Sequence, residues 1–457
     1  MDAHSGSTPQ TPPPGCPMHQ GRTPLYGEEF AADPYGTYDR MRAQGPAVPV
    51  ELAPGVDATL VIQHEAALRV LQNPALFVRD SRRWRALNEG RVPLDSPVLP
   101  MMYYRPNCLF SDGAEHLRLR KAVTDSLNQL NMNRLTRDVE RVADYLIDQF
   151  SERGGADLLR DYAKILPMLL FNQLFGCPAD IGDRMTRGIA GIFDGGQDAI
   201  RANEELTSAL LELVALKRRS PGEDVTTWMI QHHAGLTDEE LKDQLVTMMA
   251  AGIEPQSSLI CSAVLLLLNG SGTGHGRGAG LLVEDALDNV LWNNSPLANY
   301  ATHFPVQDIM LGDVTLRAND PVVISFAASN TDPSLTDARL TLSKGAHLAF
   351  GAGPHTCPAK SPARVIAIAA IERILNALPD LALAVPEEKL EWRPGPFHRA
   401  LVSMPVHFSP VPARRVPPRP AAPARAADGM MPGTQGVRTE PRKQKGWWSS
   451  FLDVFRM

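Results

Sequence analysis

Apolar residues recur at helical spacing from Ala114 to Cys177, as in Val139, Val142, Leu146, Ile147 and Phe150, and Gly154-Gly155 breaks one predicted helix from the next. The strongest pattern runs from Asp238 to about Leu268, apolar throughout, with Thr237 and Glu240 placed as a capping box. Such a helix extends about 45 Å, long enough to cross a domain. It is therefore expected to be buried, with its middle lining a central site. Strand-like stretches are few and short. Val48 to Glu51 and Ala58 to Ile62 flank Pro54-Gly55 as a hairpin, and His64 to Pro74 reads as a helix stopped by proline. Ile309 to Leu316 and Val322 to Phe326 read as strands, then a coil carrying Cys357 leads into a helix from Ser361 to Leu378. The pattern predicts a mainly α fold with small β-sheets.

The periodicity stops at both ends. Residues 1–23, with TPQTPPPG, read as a disordered leader, residues 24–410 as the folded body, and residues 411–457 as a basic tail rich in Pro, Ala and Arg. A glycine-rich stretch, Gly270 to Gly280, follows no strand and ends in no GK[ST], so it reads as a connector rather than a phosphate loop. With 44% hydrophobic and 21% charged residues, the chain can bury a large core. Continuous apolar runs such as Ala263 to Leu268 are far short of the roughly 20 residues a bilayer span needs, and the start lacks the order of a secretory signal. A cytoplasmic location without a transmembrane helix is expected. Net charge is −6 overall and +6 from Val411 onward, which leaves −12 on the rest by subtraction. No nucleic-acid partner is expected of so acidic a body. Cys16, Cys108, Cys177, Cys261 and Cys357 are odd in number and lack CxxC spacing, which argues against a disulfide framework or a zinc site.

Cys357 stands apart from the other four. It ends the segment Phe350-Gly351-Ala352-Gly353-Pro354-His355-Thr356-Cys357-Pro358-Ala359, directly before a helix. Two glycines let the backbone bend tightly and approach a flat ligand, and amides at the helix start can donate to a thiolate. Those are the requirements of an iron–thiolate bond. The pattern F-G-x-G-x-H-x-C resembles the haem-loop signature of the cytochrome P-450 family, and all five fixed positions are present. The resemblance spans roughly Pro24 to Pro410. It implies the cytochrome P-450 fold, haem b (iron protoporphyrin IX) with Cys357 as axial ligand, and Phe350, Gly351, Gly353, His355 and Ala359 around it. His116 and Arg120, four apart in HLRLR, resemble the family's propionate-holding pair. Ala250 to Glu254 resembles the oxygen-binding segment of the long helix, which makes Ala251, Gly252, Glu254, Pro255 and Gln256 the catalytic candidates. Asn330 to Pro333 resembles the N-R-D-P segment before the haem loop.

Three positions depart from the family. With Ser295-Pro296 setting the register, the usual E-x-x-R becomes Asn289-Val290-Leu291-Trp292. Replacing both members of a buried ion pair can be neutral, so Trp292 is expected to fill apolar volume, and Arg339, the usual third partner, needs another acceptor. Pro255 stands where the family has a threonine, which removes a relay hydroxyl and frees the carbonyl of Ala251; Gln256, Ser257 or Ser258 is then expected to hold a water. His303 stands where an arginine commonly reaches a propionate.

The resemblance implies a bacterial, actinomycete-type monooxygenase. It would insert one oxygen atom from O₂ into a small apolar organic substrate, with electrons from a ferredoxin and ferredoxin reductase. A haem protein of low turnover acting as sensor or complex component, and a peroxide-driven oxidase, are the alternatives. Substrate contacts are expected in Asn73 to Asp112 and Pro178 to Glu204, and the apolar candidates are Met101, Met102, Phe193 and Trp228, for each of which core packing competes. At the far end, Trp447, Trp448, Phe451, Leu452 and Phe455 fall on one helical face beside a Lys/Arg cluster. That arrangement is expected to dock peripherally on an anionic membrane surface or an acidic protein partner through residues 446–457, with packing back onto the protein's own body as the alternative.

Overall fold

The structure, a computed structural model, describes residues 21–194, 199–269, 282–336 and 344–414, together with Trp448, Phe451 and Leu452. Most of the leader, Cys16, the Gly270 to Gly280 connector, Arg339, Trp447 and Phe455 lie outside the described residues, as does the side chain of Phe193.

The principal helices, in chain order, are α1 (His64–Leu71), α2 (Gly113–Leu127), α3 (Met132–Asp148), α4 (Ile165–Leu174), α5 (Ala179–Asp194), α6 (Ala199–Arg219), α7 (Asp238–Asn269), α8 (Val283–Asn293) and α9 (Lys360–Ala377). The capping box of α7 forms as its sequence predicts. The Glu240 N–H donates to Thr237 Oγ1 at 3.2 Å, and the Thr237 N–H donates to Glu240 Oε2 at 2.8 Å. By length and composition α7 could cross a bilayer, but 67% of its most apolar window is buried inside the fold, as befits a core helix. Leu241, Leu245, Met249 and Ile253 pack in one hydrophobic cluster with α2, α5 and α6. Leu259, Ile260 and Val264 pack in another with α3, α4, α8 and α9. Between them fall Glu254, Gln256, Ser257 and Ser258, a polar seam buried at the centre of the molecule.

Six strands form the largest sheet, in the order Thr23–Pro24, Ala47–Ala53, Val56–Val61, Val322–Ser325, Asn299–Pro305 and Phe77–Val78. The expected hairpin pairs Val48 with Leu60, and Leu60 pairs in parallel with Val323. Two strand expectations need correction. Ile309 to Leu316 is a hairpin, Ile309–Leu311 against Val314–Leu316, and it turns at Gly312, whose φ is +62°. The next strand ends at Ser325, because the Ser325 hydroxyl accepts the Ala328 N–H and starts the short helix Phe326–Asn330.

The tail also departs from expectation. Trp448 is 2% exposed and Phe451 3% exposed, both joined to the core cluster around α3. Of the aromatic face that predicted docking on a membrane or an outside partner, Trp448 and Phe451 are used by the chain's own body, the alternative the sequence had left open. Composition distinguishes the two poorly, since either destination removes the same rings from water. Met101 and Met102 likewise pack beside the sheet, and Trp228 packs with the α5–α7 cluster.

Candidate functional site

The cysteine loop is held on both sides. The Cys357 N–H donates to the Phe350 carbonyl at 2.8 Å, closing the loop, and Arg120 donates to the Thr356 carbonyl. At Gly353 the backbone has φ +68°, and a Cβ there would stand 2.2 Å from the Leu71 carbonyl oxygen at the end of α1. Both conformation and space demand glycine. Burial raises the Cys357 thiol above its ordinary pKa, while the Ala359 N–H and the Arg120 charge act in the opposite sense. An electropositive metal would complete what those two groups begin, because thiols deprotonate on coordination.

Beside this loop the fold gathers cationic and imidazole groups from four separate stretches of chain. The rings of His116 and His355 lie 4.0 Å apart. His355 is driven far below its ordinary pKa by burial and then by Arg79, His116, His303 and Arg120. His116 is lowered to about 4 by burial, Arg120 and Arg79. His303 is buried next to Arg79, with its Nδ1 at the Ala301 carbonyl. The predicted residues His116, Arg120, His303 and His355 are thus brought together, and Arg79 is the member that the sequence did not reveal. It sits one residue after the strand Phe77–Val78, among Arg82, Arg83 and Arg85, with no spacing to single it out.

This cluster carries more donors than partners. Arg79 is 3% exposed, its Nε donates to the Leu109 carbonyl at 3.2 Å, and its Nη1 has no hydrogen-bond partner. His116 Nε2 is buried and equally without one. The neighbouring Asp112 carboxylate is used by the backbone N–H groups of Arg79 and Asp80. Two arginines and three histidines around unmet donors fit a ligand with two carboxylates, which is what a haem presents through its propionates.

On the facing helix, Ala250 and Ala251 are exposed although Met249 and Ile253 beside them are fully buried. That face of α7 is therefore open to solvent. Gly252 packs closely on α4, since a Cβ there would lie 2.3 Å from Phe171 Cζ. Pro255 lies inside the helix, which continues through it to Asn269. Glu254 is 5% exposed and ion-paired with Arg393, a second residue that sequence reasoning missed. Of the three residues expected to hold a water, Gln256 donates to the Ala363 carbonyl at 3.0 Å and Ser257 to the Ile253 carbonyl at 2.8 Å. Gln256 thereby ties α7 to α9. Ser258 keeps a buried hydroxyl without a partner.

The altered E-x-x-R region is a working contact. Trp292 is buried, its indole N–H donates to the Lys344 carbonyl at 2.7 Å, and its ring meets His347 edge-on. Trp292 is thus buried, but beside a backbone carbonyl and an imidazole rather than in a purely apolar volume. One residue from Asn289, Asp288 pairs with Arg364 of α9 at 2.5 Å. Asn330, fully buried, donates to the Leu291 carbonyl and Ser295 Oγ and accepts the Leu348 N–H at 2.7 Å, joining α8 to the haem-loop side.

No family model matches the chain. Among curated proteins it is 31% identical to the cytochrome P450 monooxygenase PikC of Streptomyces venezuelae over 399 residues, covering 84% of this chain and 92% of that protein. It is also 31% identical to the nocardicin C N-oxygenase of Nocardia uniformis subsp. tsuyamanensis, covering 83% and 97%. Among solved structures it resembles CYP154C4 from Streptomyces sp. W2061, with a TM-score of 0.74, 28% identity and coverage of 84% of this chain and 97% of that one.

Proposed function

The chain belongs to the cytochrome P450 family of haem-thiolate monooxygenases, and from that premise we propose that residues 24–410 form a cytoplasmic catalytic domain that oxygenates a small apolar organic substrate with electrons from a ferredoxin and ferredoxin reductase. The observation that carries the site assignment is the pairing of Cys357, its sulfur met by the Ala359 N–H, with the buried cluster of Arg79, His116, Arg120, His303 and His355. Cys357 holds the iron, and the five-residue cluster holds the two propionates. Haem b supplies the redox chemistry, in which a thiolate ligand favours O–O cleavage.

The remaining steps belong to the chain. Ala250 and Ala251 leave an open face on α7, and Pro255 frees the Ala251 carbonyl as an acceptor for water. Arg393 holds Glu254 oriented inside the fold, so protons pass through Glu254 and a water held near Ser258 rather than through a threonine hydroxyl. The test is the reduced carbonyl spectrum of the purified protein, followed by NADPH-driven turnover with added ferredoxin and reductase. A thiolate-type band lost in Cys357→Ala, with product formed by the natural chain, supports the proposal. A thiolate-type band retained in Cys357→Ala would overturn it.

A further inference from the structure

The seat of the terminal aromatic residues is shaped for them. Gly182 lies within α5, where glycine costs helix stability and so needs a packing reason. Trp448 supplies one: a Cβ on Gly182 would stand 2.1 Å from Trp448 Cδ1. The indole N–H donates to the Cys177 carbonyl at 3.3 Å, and the Trp448 backbone N–H donates to Asp183 Oδ1 at 2.9 Å. Phe451 stacks on Trp448 with centroids 5.3 Å apart and meets Tyr145 of α3 edge-on at 5.4 Å. Two polar bonds and a glycine-made recess distinguish this from indiscriminate burial of loose rings.

The seat bears on helices that pack against α7. The Gly182 carbonyl accepts Asn172 Nδ2 of α4 at 3.0 Å, and Asn172 also donates to Thr186 Oγ1 on α5. The adjacent Phe171 is the ring that packs on Gly252 of α7. Ile181 and Met185 of α5 share one hydrophobic cluster with Met249 and Ile253 of α7. A ring pressed onto Gly182 therefore clamps α5 against α4, and both reach the stretch of α7 around the exposed Ala250 and Ala251.

We propose that Trp448 and Phe451 form a clasp that docks in cis between α3 and α5 and, by holding α5 in place, restricts the approach of ligands to the exposed Ala250–Ala251 stretch of α7. The seat stands on geometry alone, whereas the effect on entry rests on the P450 reading. The test uses the full haem-loaded chain, Trp448→Ala/Phe451→Ala, and Gly182→Ala, which fills the seat from the body side. Both variants are expected to keep the thiolate-type carbonyl band, to exchange amide hydrogens of residues 177–186 roughly tenfold faster, and to bind imidazole several-fold faster. Gly182→Ala is expected to lower the melting temperature in the natural chain but to leave it level or raise it in a Trp448→Ala background, a reversal that a general loss of packing would not give. Unchanged exchange at 177–186 overturns the clasp. Faster exchange with an unchanged imidazole on-rate overturns its control of entry. A dimer of the natural chain that Trp448→Ala converts to monomer overturns docking in cis in favour of a second copy's segment. Absence of the thiolate-type band from the natural chain refutes the P450 reading and leaves the exchange result to decide the seat.

Discussion

Arg79 gains most from an anion set among His116, Arg120, His303 and His355, because its guanidinium is buried with Nη1 unpaired. A charge-assisted hydrogen bond contributes about 1.5–3 kcal/mol, so Arg79→Ala should speed haem loss by roughly ten- to a hundredfold, measured as transfer to apomyoglobin. At the distal side the missing hydroxyl makes a separate prediction. Restoring Pro255→Thr should raise product formed per NADPH consumed, and Glu254→Gln should lower it while stranding Arg393; efficient coupling in the natural protein would contradict this. Cys357, His116, Arg120 and His355 were legible because a motif fixes their spacing. Arg79 and Arg393 were not, because each joins its site through tertiary contact alone: Arg393 lies far along the chain from the Glu254 it pairs with. Gln256 shows the converse, a motif position whose side chain turns to Ala363.

At the scale of elements, local signals carried far. The capping box at Thr237 and Glu240, the Pro54-Gly55 hairpin and the helix after Cys357 all form close to their predicted bounds, since each depends on residues only a few positions apart. What local pattern could not reveal was the partner of each surface, as with Trp292. Its indole is committed to the Lys344 carbonyl and to His347, and no acidic residue stands at Asn289. Trp292→Arg should therefore bury a charge without its family partner and destabilise the fold by about 3 kcal/mol, visible as a lower melting temperature and reduced haem content. Adding Asn289→Glu to that variant should recover part of the loss, as a double-mutant cycle would measure.

At the scale of the molecule, the parts of the cofactor site are remote in sequence and close in space. Arg79 follows the edge strand Phe77–Val78, His116 and Arg120 lie on α2, His303 lies on Asn299–Pro305, and His355 and Cys357 lie in the loop before α9. Phe77 pairs with Pro305, so the sheet brings the Arg79 and His303 stretches together, while Arg120 at the Thr356 carbonyl ties α2 to the cysteine loop. Without two carboxylates between them, these groups keep buried donors unmet, which opposes the same packing that assembles them. Haem binding should thus stabilise the chain beyond the site itself: a ligand present at a thousand times its dissociation constant contributes about 4 kcal/mol. Extraction of haem should lower the melting temperature by several degrees and raise amide exchange together in residues 77–80, 113–120, 299–305 and 350–359. The half of α7 packed on α3, α4 and α9 should stay protected, because Ile260, Val264 and their neighbours are anchored in a hydrophobic cluster that includes none of the five cationic and imidazole groups. Exchange measured by mass spectrometry on haem-loaded and haem-free chain separates this from global unfolding, in which all of these stretches and the second half of α7 would lose protection alike.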